Sequence, residues 1–365
     1  MTITKVTDAG LDRGRIVTPI IINGDMSIAQ RGTSSTSQTS SGIKTVDRMR
    51  IATGGGMTFT IAQASESPTG QGFTKSYKVT STTGDSSMSA AEYNIPLQMR
   101  MEGNTLQSIK KGTSSAEKIT FAFWVYATVT GTYVLELSDD DNTRYVSQTY
   151  TVSSSNTWEK KIVNFPADTT GAFDNDNAKS LTINFWGGAG TNFTSGSLQT
   201  TWGAEDNTTR ASGQVNAFAS NNDVWQITGL QLEIGEFDAN TIPAFPFEDT
   251  ESNLRRCRRY YEMTVNKDVN KVIATGGCYQ SDVVSLNYQW YPKRAAPSID
   301  QGSGTNYFGF NRGGGAITFN SIKIYSATAT NGLLYSDDGV SASTYENGWI
   351  YIANANAYIA LDSEL

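Results

Sequence analysis

The sequence predicts a mostly β, multidomain protein, and three observations carry this prediction. Only 17% of the 365 residues are charged, whereas glycine alone contributes 34 residues and serine, threonine and asparagine recur throughout. This balance is typical of β-rich extracellular or virion proteins. Short runs of β-branched and aromatic residues are separated by clusters of turn-forming residues, as in chains with many short antiparallel strands. Helical periodicity is scarce, and the length suffices for two or three domains.

Composition and charge exclude several functions. The chain contains no histidine, so it has no Ser-His-Asp or Cys-His couple, no histidine-ligated metal and no imidazole general base. Its net charge of −7 and sequence pI of about 4.8 give it no attraction for nucleic acid or an anionic membrane. Residues 1–15 lack the apolar run of a secretory signal, and residues 16–22 are too short to cross a bilayer. We therefore expect no nucleic-acid partner, no signal peptide and no membrane insertion.

The predicted elements begin with an N-terminal arm, residues 1–22, which is too short to bury a core of its own. Residues 23–247 form a long β region, which closes at residues 242–247 (IPAFPF) because the two prolines there stop a strand ladder. Residues 32–42 (GTSSTSQTSSG) are low in complexity and predict a mobile loop, with glycan contact as the functional alternative. Strands are predicted at residues 57–62, 77–82, 119–126, 131–137, 144–152, 158–165, 181–186 and 224–234.

The last of these strands, residues 224–234 (VWQITGLQLEI), has an unusual pattern. Strict alternation puts Leu230 and Leu232 on one face and Trp225 and Ile227 on the other. Apolar groups are therefore expected on both sides of this strand.

A short connecting helix is predicted at residues 248–263, where Leu254, Cys257 and Tyr261 recur at helical spacing. A smaller C-terminal β domain follows at residues 264–365. Its strands are predicted at residues 283–291, 316–325 and 349–361.

The two cysteines, Cys257 and Cys278, lie 21 residues apart and show neither a CxxC motif nor the spacing of metal ligands. They either form one disulfide or remain reduced and part-buried. The second alternative is favoured for a chain that is made without secretion.

An ordered set of motifs links the chain to a known family. NGDMSIAQRG occupies residues 23–32 and VDRMR residues 46–50, and NLRRCRRYYE closes the set at residues 253–262. Between them lie TFAFWVYATVTGTYVLEL (residues 120–137), FPADTTGAFDND (residues 165–176) and ITGLQLEIGEFDANTIPAFPFED (residues 227–249). In order and spacing, this set resembles phage tail-fibre or virion-appendage proteins that carry a jelly-roll module similar to carbohydrate-binding modules.

The resemblance implies the fold class in more detail. It implies an antiparallel jelly-roll β-sandwich over residues 23–247, the connecting helix at residues 248–263, and a distal, candidate receptor-binding β domain at residues 264–365. It also implies a homotrimer fixed to the virion, in which residues 1–22 contact other virion proteins or begin the trimer contact. The expected location is the virion, after synthesis in the host cytoplasm.

Acidic residues raise the question of calcium. Related sugar-binding sandwiches often hold a structural calcium between their first and last strands, and by this resemblance Asp25 and Glu233 are the candidate ligands. Asp139, Asp140 and Asp141 lie between two predicted strands, where the simple interpretation is a hairpin loop and calcium binding is the alternative. No other cofactor is expected.

Aromatic side chains are the candidate ligand contacts, because exposed tryptophan and tyrosine rings stack on the faces of sugars. A tryptophan in a strand is more often a core residue. Trp202 has the best claim to exposure, because its surroundings (SLQTTWGAEDNTTRASGQ) are typical of a long polar loop. The candidate glycan contacts are Trp186, Trp202 and Trp225 in the first β region and Trp290, Tyr307 and Trp349 in the second.

Catalysis is not expected, and no catalytic residue is assigned. A glycosidase needs two carboxylates about 5–10 Å apart across a cleft, and no spacing singles out such a pair among 35 acidic residues. The expected function is adhesion of a tail fibre or capsid-attached fibre to a host-surface glycan. The alternatives are a purely structural decoration protein of the capsid or tail and a glycan depolymerase.

Overall fold

Residues 18–365 are described by a computed structural model. Most of the predicted N-terminal arm, up to residue 17, lies outside the described residues. Its remaining residues join the first domain, because Ile21 is buried in that domain's core. Strands make up 43% of residues 18–365 and helices 6%, which confirms the mostly β fold class. The two main hydrophobic cores, one from residues 21–232 and one from residues 265–361, define two β domains.

The first domain contains fourteen strands. In chain order they are β1 (Ser34–Gln38), β2 (Gly42–Ile43), β3 (Arg50–Gly54), β4 (Thr58–Ala64), β5 (Ser76–Thr83), β6 (Tyr93–Glu102), β7 (Ile119–Ala127), β8 (Gly131–Asp139), β9 (Arg144–Val152), β10 (Glu159–Phe165), β11 (Lys179–Phe185), β12 (Gly188–Ala189), β13 (Gly203–Ala204) and β14 (Val224–Ile234). Its loops contain a short helix, α1 (Thr191–Thr194), and 3-10 turns at Gly103–Thr105, Gln107–Ile109 and Asn207–Thr209.

These strands form two antiparallel sheets that pack face to face. One sheet has the order β1-β4-β5-β14-β7-β10, and the other has the order β13-β9-β8-β11-β6-β3-β2, with β12 beside β6. Aromatic rings fill the space between the sheets. For example, the ring of Phe123 on β7 meets that of Phe185 on β11 edge to face, with centroids 5.0 Å apart. The two sheets are the predicted antiparallel jelly-roll sandwich.

Two segments of this domain differ from the sequence prediction. Residues 32–42 are not a mobile loop, because Ser34–Gln38 form the edge strand β1 and pair with β4. The central strand β6 was missed because Pro96 and its charged residues obscure the pattern. Pro96 lies at an irregularity in the pairing of β6 with β3. Proline has no main-chain N–H to donate, and an irregular position in the ladder accommodates it.

A β-bulge explains the two apolar faces of β14. Pairing with β7 shifts between Thr228 and Gln231, so that one extra residue enters β14. The bulge reverses the alternation, and Trp225 before it and Leu230 after it face the same core. Gly229 lies in this bulge with φ +64°, a left-handed conformation that favours glycine. The expectation of apolar groups on opposite faces was therefore wrong.

Substitution of Gly229 tests the bulge. A Cβ at Gly229 would lie 2.6 Å from Cζ of the buried Phe73 ring, in addition to the strain of a positive φ. We expect Gly229→Ala to lower the free energy of unfolding by roughly 3 kcal/mol. The matched control is Gly213→Ala, which has φ +85° but no atom within 4 Å of the new Cβ, and which should lose only about 1 kcal/mol. Urea unfolding measures both, and equal losses would contradict a role for the close approach to Phe73.

The second domain contains ten strands. In chain order they are β15 (Tyr261–Asn266), β16 (Val272–Gln280), β17 (Val283–Gln289), β18 (Ser298–Gln301), β19 (Phe308–Arg312), β20 (Gly315–Phe319), β21 (Lys323–Ala327), β22 (Asn331–Ser336), β23 (Asn347–Ile352) and β24 (Tyr358–Asp362). They form a three-stranded sheet with the order β15-β24-β18 and a seven-stranded sheet with the order β20-β19-β23-β16-β17-β22-β21. The single strands predicted at residues 316–325 and 349–361 are each divided into two by a turn.

The connecting helix is shorter than predicted. Helix α2 (Thr250–Arg258) is capped by Asp249, whose carboxylate accepts the Ser252 N–H at 2.9 Å. Tyr261 already begins β15, so the helical prediction beyond Arg258 was wrong. Neither helix of residues 18–365 is long and apolar enough to cross a membrane.

Both cysteines are unpaired thiols. Cys257 on α2 and Cys278 on β16 are each buried and free, which confirms the reduced alternative. Burial raises the pKa of both thiols. They are therefore held as neutral, apolar core groups.

Two arginine–tyrosine stacks join the domains. The Arg31 guanidinium carbon lies 3.4 Å from the centroid of the Tyr261 ring, and that of Arg48 lies 3.5 Å from the centroid of Tyr260. We call these four residues the arginine–tyrosine clamp. Both arginines belong to the first domain, and both tyrosines follow α2. Both rings are buried, so the stacks are shielded from water. Cation–π attraction is stronger in such desolvated surroundings.

Acidic residues near the end of β24 complete the clamp. Glu364 forms an ion pair with Arg48 and lies 3.6 Å from Arg31. Asp362 lies 3.5 Å from Arg31. Each buried guanidinium thus has carboxylate partners from the other domain, which compensates for its removal from water.

Gln30 fixes β15 against the first domain. Its side chain donates to the Tyr261 carbonyl at 2.7 Å and accepts from the Met263 N–H at 3.2 Å. Asp47 in turn accepts the main-chain and side-chain N–H groups of Gln30, at 3.0 and 2.5 Å. Burial raises the pKa of Asp47 to about 6, even though Arg31 lies 3.9 Å away.

The raised pKa of Asp47 predicts a pH-dependent stability. Between the ordinary value of 3.8 and about 6, the native state binds more protons than the unfolded chain, so this contribution is present at low pH and is lost as the pH rises through about 6. Relative to Asp47→Asn, the wild-type free energy of unfolding should be about 2 kcal/mol greater at pH 4 than at pH 7. Urea unfolding at both pH values measures this difference. A difference that stays constant or grows towards pH 7 would contradict the prediction.

Candidate functional site

The outer face of the seven-stranded sheet carries the one exposed tryptophan of residues 18–365. On β23, Ile350 and Ile352 are buried in the second core, whereas Trp349, which precedes Ile350, points away from it and is 46% exposed. Its cross-strand neighbours are Thr275 on β16 and Asn311 on β19. Strand alternation therefore places the Trp349 ring beside polar side chains.

A groove of about 750 Å³ lies beside Trp349, and we call it the tryptophan groove. Glycine is required at Gly348, because a Cβ there would lie only 1.9 Å from the carbonyl oxygen of Asn311. Small residues keep the groove open, and the Asn287 and Asn347 amides provide polar groups along it. The residues that line it are Thr275, Gly276, Gly277, Ser285, Leu286, Asn287, Leu333, Asn347, Gly348 and Trp349.

The lining of the tryptophan groove is uncharged. None of the described residues that line it is ionisable. The indole face offers apolar area to the C–H face of a sugar ring, and the asparagine amides can donate to and accept from hydroxyl groups. The groove contains no carboxylate pair of the kind that glycoside hydrolysis requires. Its chemistry suits binding of a neutral polyhydroxylated ligand.

Three of the predicted aromatic contacts are core residues. Trp186, Trp225 and Trp290 are at most 7% exposed, so their rings are not available for stacking on a ligand. Trp225 packs between the two sheets against Phe185, with centroids 5.8 Å apart. Trp186 packs against Tyr93 on the other side of the second sheet. The prediction was wrong for these residues because burial of a large ring between or against sheets removes the most apolar area from water.

Trp202 and Tyr307 are half-buried. The Trp202 indole N–H donates to the Pro166 carbonyl at 3.0 Å, and its ring centroid lies 4.9 Å from Nζ of Lys111. The loop around Trp202 therefore lays the ring on the first domain and does not project it into solvent. Tyr307 packs against the second core. Trp349 is the predicted aromatic contact that the structure leaves exposed.

An acidic residue of the hairpin between β8 and β9 pairs with a lysine of the same chain. The Lys111 ammonium pairs with Asp139 and lies 3.0 Å from Asp168, and all three side chains are buried. Arg144 donates two further bonds to Asp168, at 3.0 and 3.1 Å. Burial acts to raise the pKa of Asp168, but the bonds from Arg144 and Lys111 hold it below its ordinary value. The hairpin interpretation is confirmed, and Lys111 supplies the positive charge beside Asp139.

The two predicted calcium ligands make hydrogen bonds within the protein. The Asp25 carboxylate accepts from the Ser27 N–H at 3.3 Å, the Ser27 hydroxyl at 3.0 Å and the Asn253 amide at 3.1 Å. Glu233 accepts from the Gln231 amide at 3.2 Å. Within residues 18–365, no group of three or more acidic or cysteine side chains is arranged to hold a metal ion. The N–H and O–H groups that donate hydrogen bonds to the Asp25 carboxylate do not fit calcium, because calcium binds oxygen lone pairs.

The sequence analysis did not identify the glycines and asparagines that line the tryptophan groove beside Trp349. Gly276 and Gly277 lie inside β16, and a glycine pair in the interior of a strand is a signal of close approach or an open surface. Nothing in the sequence marks Asn287 and Asn347 in this way, because asparagine is a common residue of ordinary turns. Only the pairing of β16 with β17 and β23 brings these residues together.

Comparisons with known proteins give distant structural similarities. No protein-family model matches the chain, and no curated protein sequence matches it. The chain is similar to the enzymatically active domain of tailspike protein 4 of bacteriophage CBA120, with 12% identity over 59% of this chain and 21% of that chain and a TM-score of 0.29. It is also similar to the CBM22-1 xylan-binding domain of Paenibacillus barcinonensis Xyn10C, with 10% identity over 56% of this chain and 94% of that chain and a TM-score of 0.26.

A third similar structure is the family 11 carbohydrate-binding module of Clostridium thermocellum Lic26A-Cel5E. It shares 12% identity over 55% of this chain and 98% of that chain, with a TM-score of 0.29. Similarities at this level assign no function to the chain. Its fold class rests on its own strand order and pairing.

Removal of the Asp25 carboxylate distinguishes hydrogen bonding from calcium binding. Asp25→Ala removes the acceptor that Ser27 and Asn253 share, and we expect it to lower the free energy of unfolding by about 1–3 kcal/mol. The loss should be the same in a calcium chelator and in added calcium, and Asp25→Asn, which keeps one acceptor oxygen, should lose less. Thermal and urea unfolding measure these effects. A calcium-dependent rise of the wild-type Tm that Asp25→Ala lacks would instead support the calcium site.

Proposed function

We propose that this chain is a phage virion appendage protein, a tail fibre or capsid-attached fibre, that binds a host-surface glycan through the tryptophan groove without cleaving it. The observation that carries the proposal is the exposed Trp349 ring beside an uncharged groove lined by asparagines and glycines. Aromatic stacking with amide hydrogen bonds is the chemistry that recognises neutral sugars. The motifs of residues 23–262, which resemble virion-appendage proteins, support the same class.

The absence of catalysis in the proposal follows from the lining of the groove. Hydrolysis of a glycosidic bond requires one carboxylate as acid and a second as base or nucleophile. The described residues around Trp349 supply neither. A ligand bound there is held by stacking and hydrogen bonds alone, so we expect recognition and release of an intact glycan.

The assembly in the proposal is a homotrimer attached to the virion through residues 1–22. Its support is the distribution of exposed apolar side chains. The exposed large apolar residues of the described chain lie at or after Phe247, and those that we assign to the contact surface of the second domain are Tyr279 and Tyr325. Surface of this kind is typical of contacts with partners. Light scattering of the full chain should give the mass of three copies, whereas the mass of one copy would favour a decoration protein.

Replacement of Trp349 tests the proposed function. We expect Trp349→Ala to weaken binding to an array of bacterial surface polysaccharides at least about tenfold, because stacking on the indole is lost. The matched control is Tyr345→Ala, which removes an exposed ring of the same domain that does not line the groove. It should bind as the wild type does. Circular dichroism and thermal unfolding verify that both variants are folded.

Other outcomes would overturn the proposal in distinct ways. If the folded wild-type protein binds no surface polysaccharide, the structural decoration role would be favoured. New reducing ends after incubation with a bound polysaccharide would establish a depolymerase. Equal loss of binding in the two variants would place the glycan site outside the tryptophan groove.

A further inference from the structure

A second pocket lies between the two domains, next to the arginine–tyrosine clamp. Its volume is about 520 Å³, within the range of roughly 300–1,000 Å³ that is usual for small-molecule sites. Strands β2, β3 and β6 of the first domain form one wall, and β15, β18 and β24 of the second domain form the other. We call it the interdomain pocket.

Four arginines line the interdomain pocket, although the chain as a whole carries a net charge of −7. Arg31 and Arg48 are engaged in the clamp, where they stack on tyrosines and pair with carboxylates. Arg50 on β3 and Arg100 on β6 are the other two. These two have no carboxylate side chain as an ion-pair partner among residues 18–365.

Arg50 is the least satisfied of the four. Its side chain makes no hydrogen bond or ion pair with any described residue, and its Nε is buried without a partner. Glu364, the carboxylate whose charge acts on it, already pairs with Arg48. Burial and the neighbouring Arg100 lower the pKa of Arg50, and burial together with Arg50 lowers that of Lys44. Arg50 and Lys44 therefore lie close together, and neither side chain forms an ion pair with a described carboxylate.

Arg100 holds a fixed position beside Arg50. Its Nε donates to the Gln98 side-chain oxygen at 3.2 Å, and its Nη1 donates to the main-chain oxygen of Leu365 at 2.8 Å. A guanidinium that is held in this way keeps its planar fork oriented. Such a fork binds the two oxygens of a carboxylate or phosphate in parallel, and the ionic hydrogen bonds are stronger than neutral ones.

The opposite wall carries a negative charge. The Asp300 carboxylate on β18 lines the pocket and accepts hydrogen bonds from the hydroxyls of Tyr261 at 3.0 Å and Tyr358 at 2.9 Å. A ligand with several anionic groups would be repelled by this wall. A ligand with one anionic group and neutral hydroxyls fits both walls, because a carboxylate accepts hydrogen bonds from sugar hydroxyls.

We propose that the interdomain pocket binds the carboxylate of a uronic acid residue, with Arg50 and Arg100 holding the carboxylate and the wall at Asp300 receiving the sugar hydroxyls. The anion supplies the partner that Arg50 lacks, and the volume accommodates one or two sugar residues. This site is separate from the tryptophan groove, which is uncharged and lies on the outer face of the other sheet of the second domain. It does not depend on the proposed glycan adhesion through Trp349.

Calorimetric titration of the full chain with glucuronate and with glucose tests the site. We expect the wild type to bind glucuronate and not glucose, and Arg50→Gln to bind glucuronate at least about tenfold more weakly. The matched control is Arg255→Gln, which removes the same charge from an exposed position on α2 outside the pocket and should bind as the wild type does. Trp349→Ala should also leave glucuronate binding unchanged, so that failure of this site and failure of the tryptophan groove are distinguishable.

The stability of the unliganded variant is a second readout. Because the Arg50 side chain is part-buried beside other cations and forms no ion pair with a described residue, Arg50→Gln should unfold at the same temperature as the wild type or at a higher one in the absence of ligand. A lower Tm would show that Arg50 has a structural role and would overturn the premise. Absence of wild-type binding at millimolar glucuronate would overturn the site. Equal binding of inorganic phosphate and glucuronate would overturn its assignment to a uronic acid and leave a general oxyanion site.

Discussion

Two buried guanidinium groups hold the two domains in one arrangement. Arg31 of the sandwich stacks on Tyr261 and Arg48 stacks on Tyr260. Glu364 lies close to both arginines. A charge that is removed from water is costly unless ionic and hydrogen-bonding partners surround it. The arginines therefore require the second domain to deliver its rings and carboxylates at the same place. Separation of the domains would break both stacks and the ion pair of Arg48 with Glu364.

The clamp also explains why the motifs that resemble virion-appendage proteins lie far apart in the sequence. Residues 23–32 supply Gln30 and Arg31, residues 46–50 supply Asp47 and Arg48, and residues 253–262 supply the two tyrosines. These segments meet at one junction. They encode how the sandwich is joined to the second domain, whereas Trp349 and the groove beside it lie outside them. The resemblance therefore concerns architecture more directly than ligand recognition.

The strands that were easiest to predict are rich in β-branched and aromatic residues. The bounds of β9 and β14 agree with the prediction for this reason. β6 was missed although it lies in the middle of its sheet, since an irregular pairing accommodates Pro96. The bulge at Gly229 was also missed, because a one-residue insertion into a ladder is a property of two strands and not of either sequence alone.

Several properties follow from the sequence alone: the mostly β class, the exclusion of histidine chemistry and the expectation of reduced cysteines. They depend on composition and on local pattern, which need no knowledge of neighbours. The exposure of each tryptophan and the pairing of each charge depend on the tertiary structure. Alternation along a strand gives the strand two faces, but only the packing of a second sheet or domain buries Trp225, leaves Trp349 exposed and leaves the Arg50 Nε without a hydrogen-bond partner.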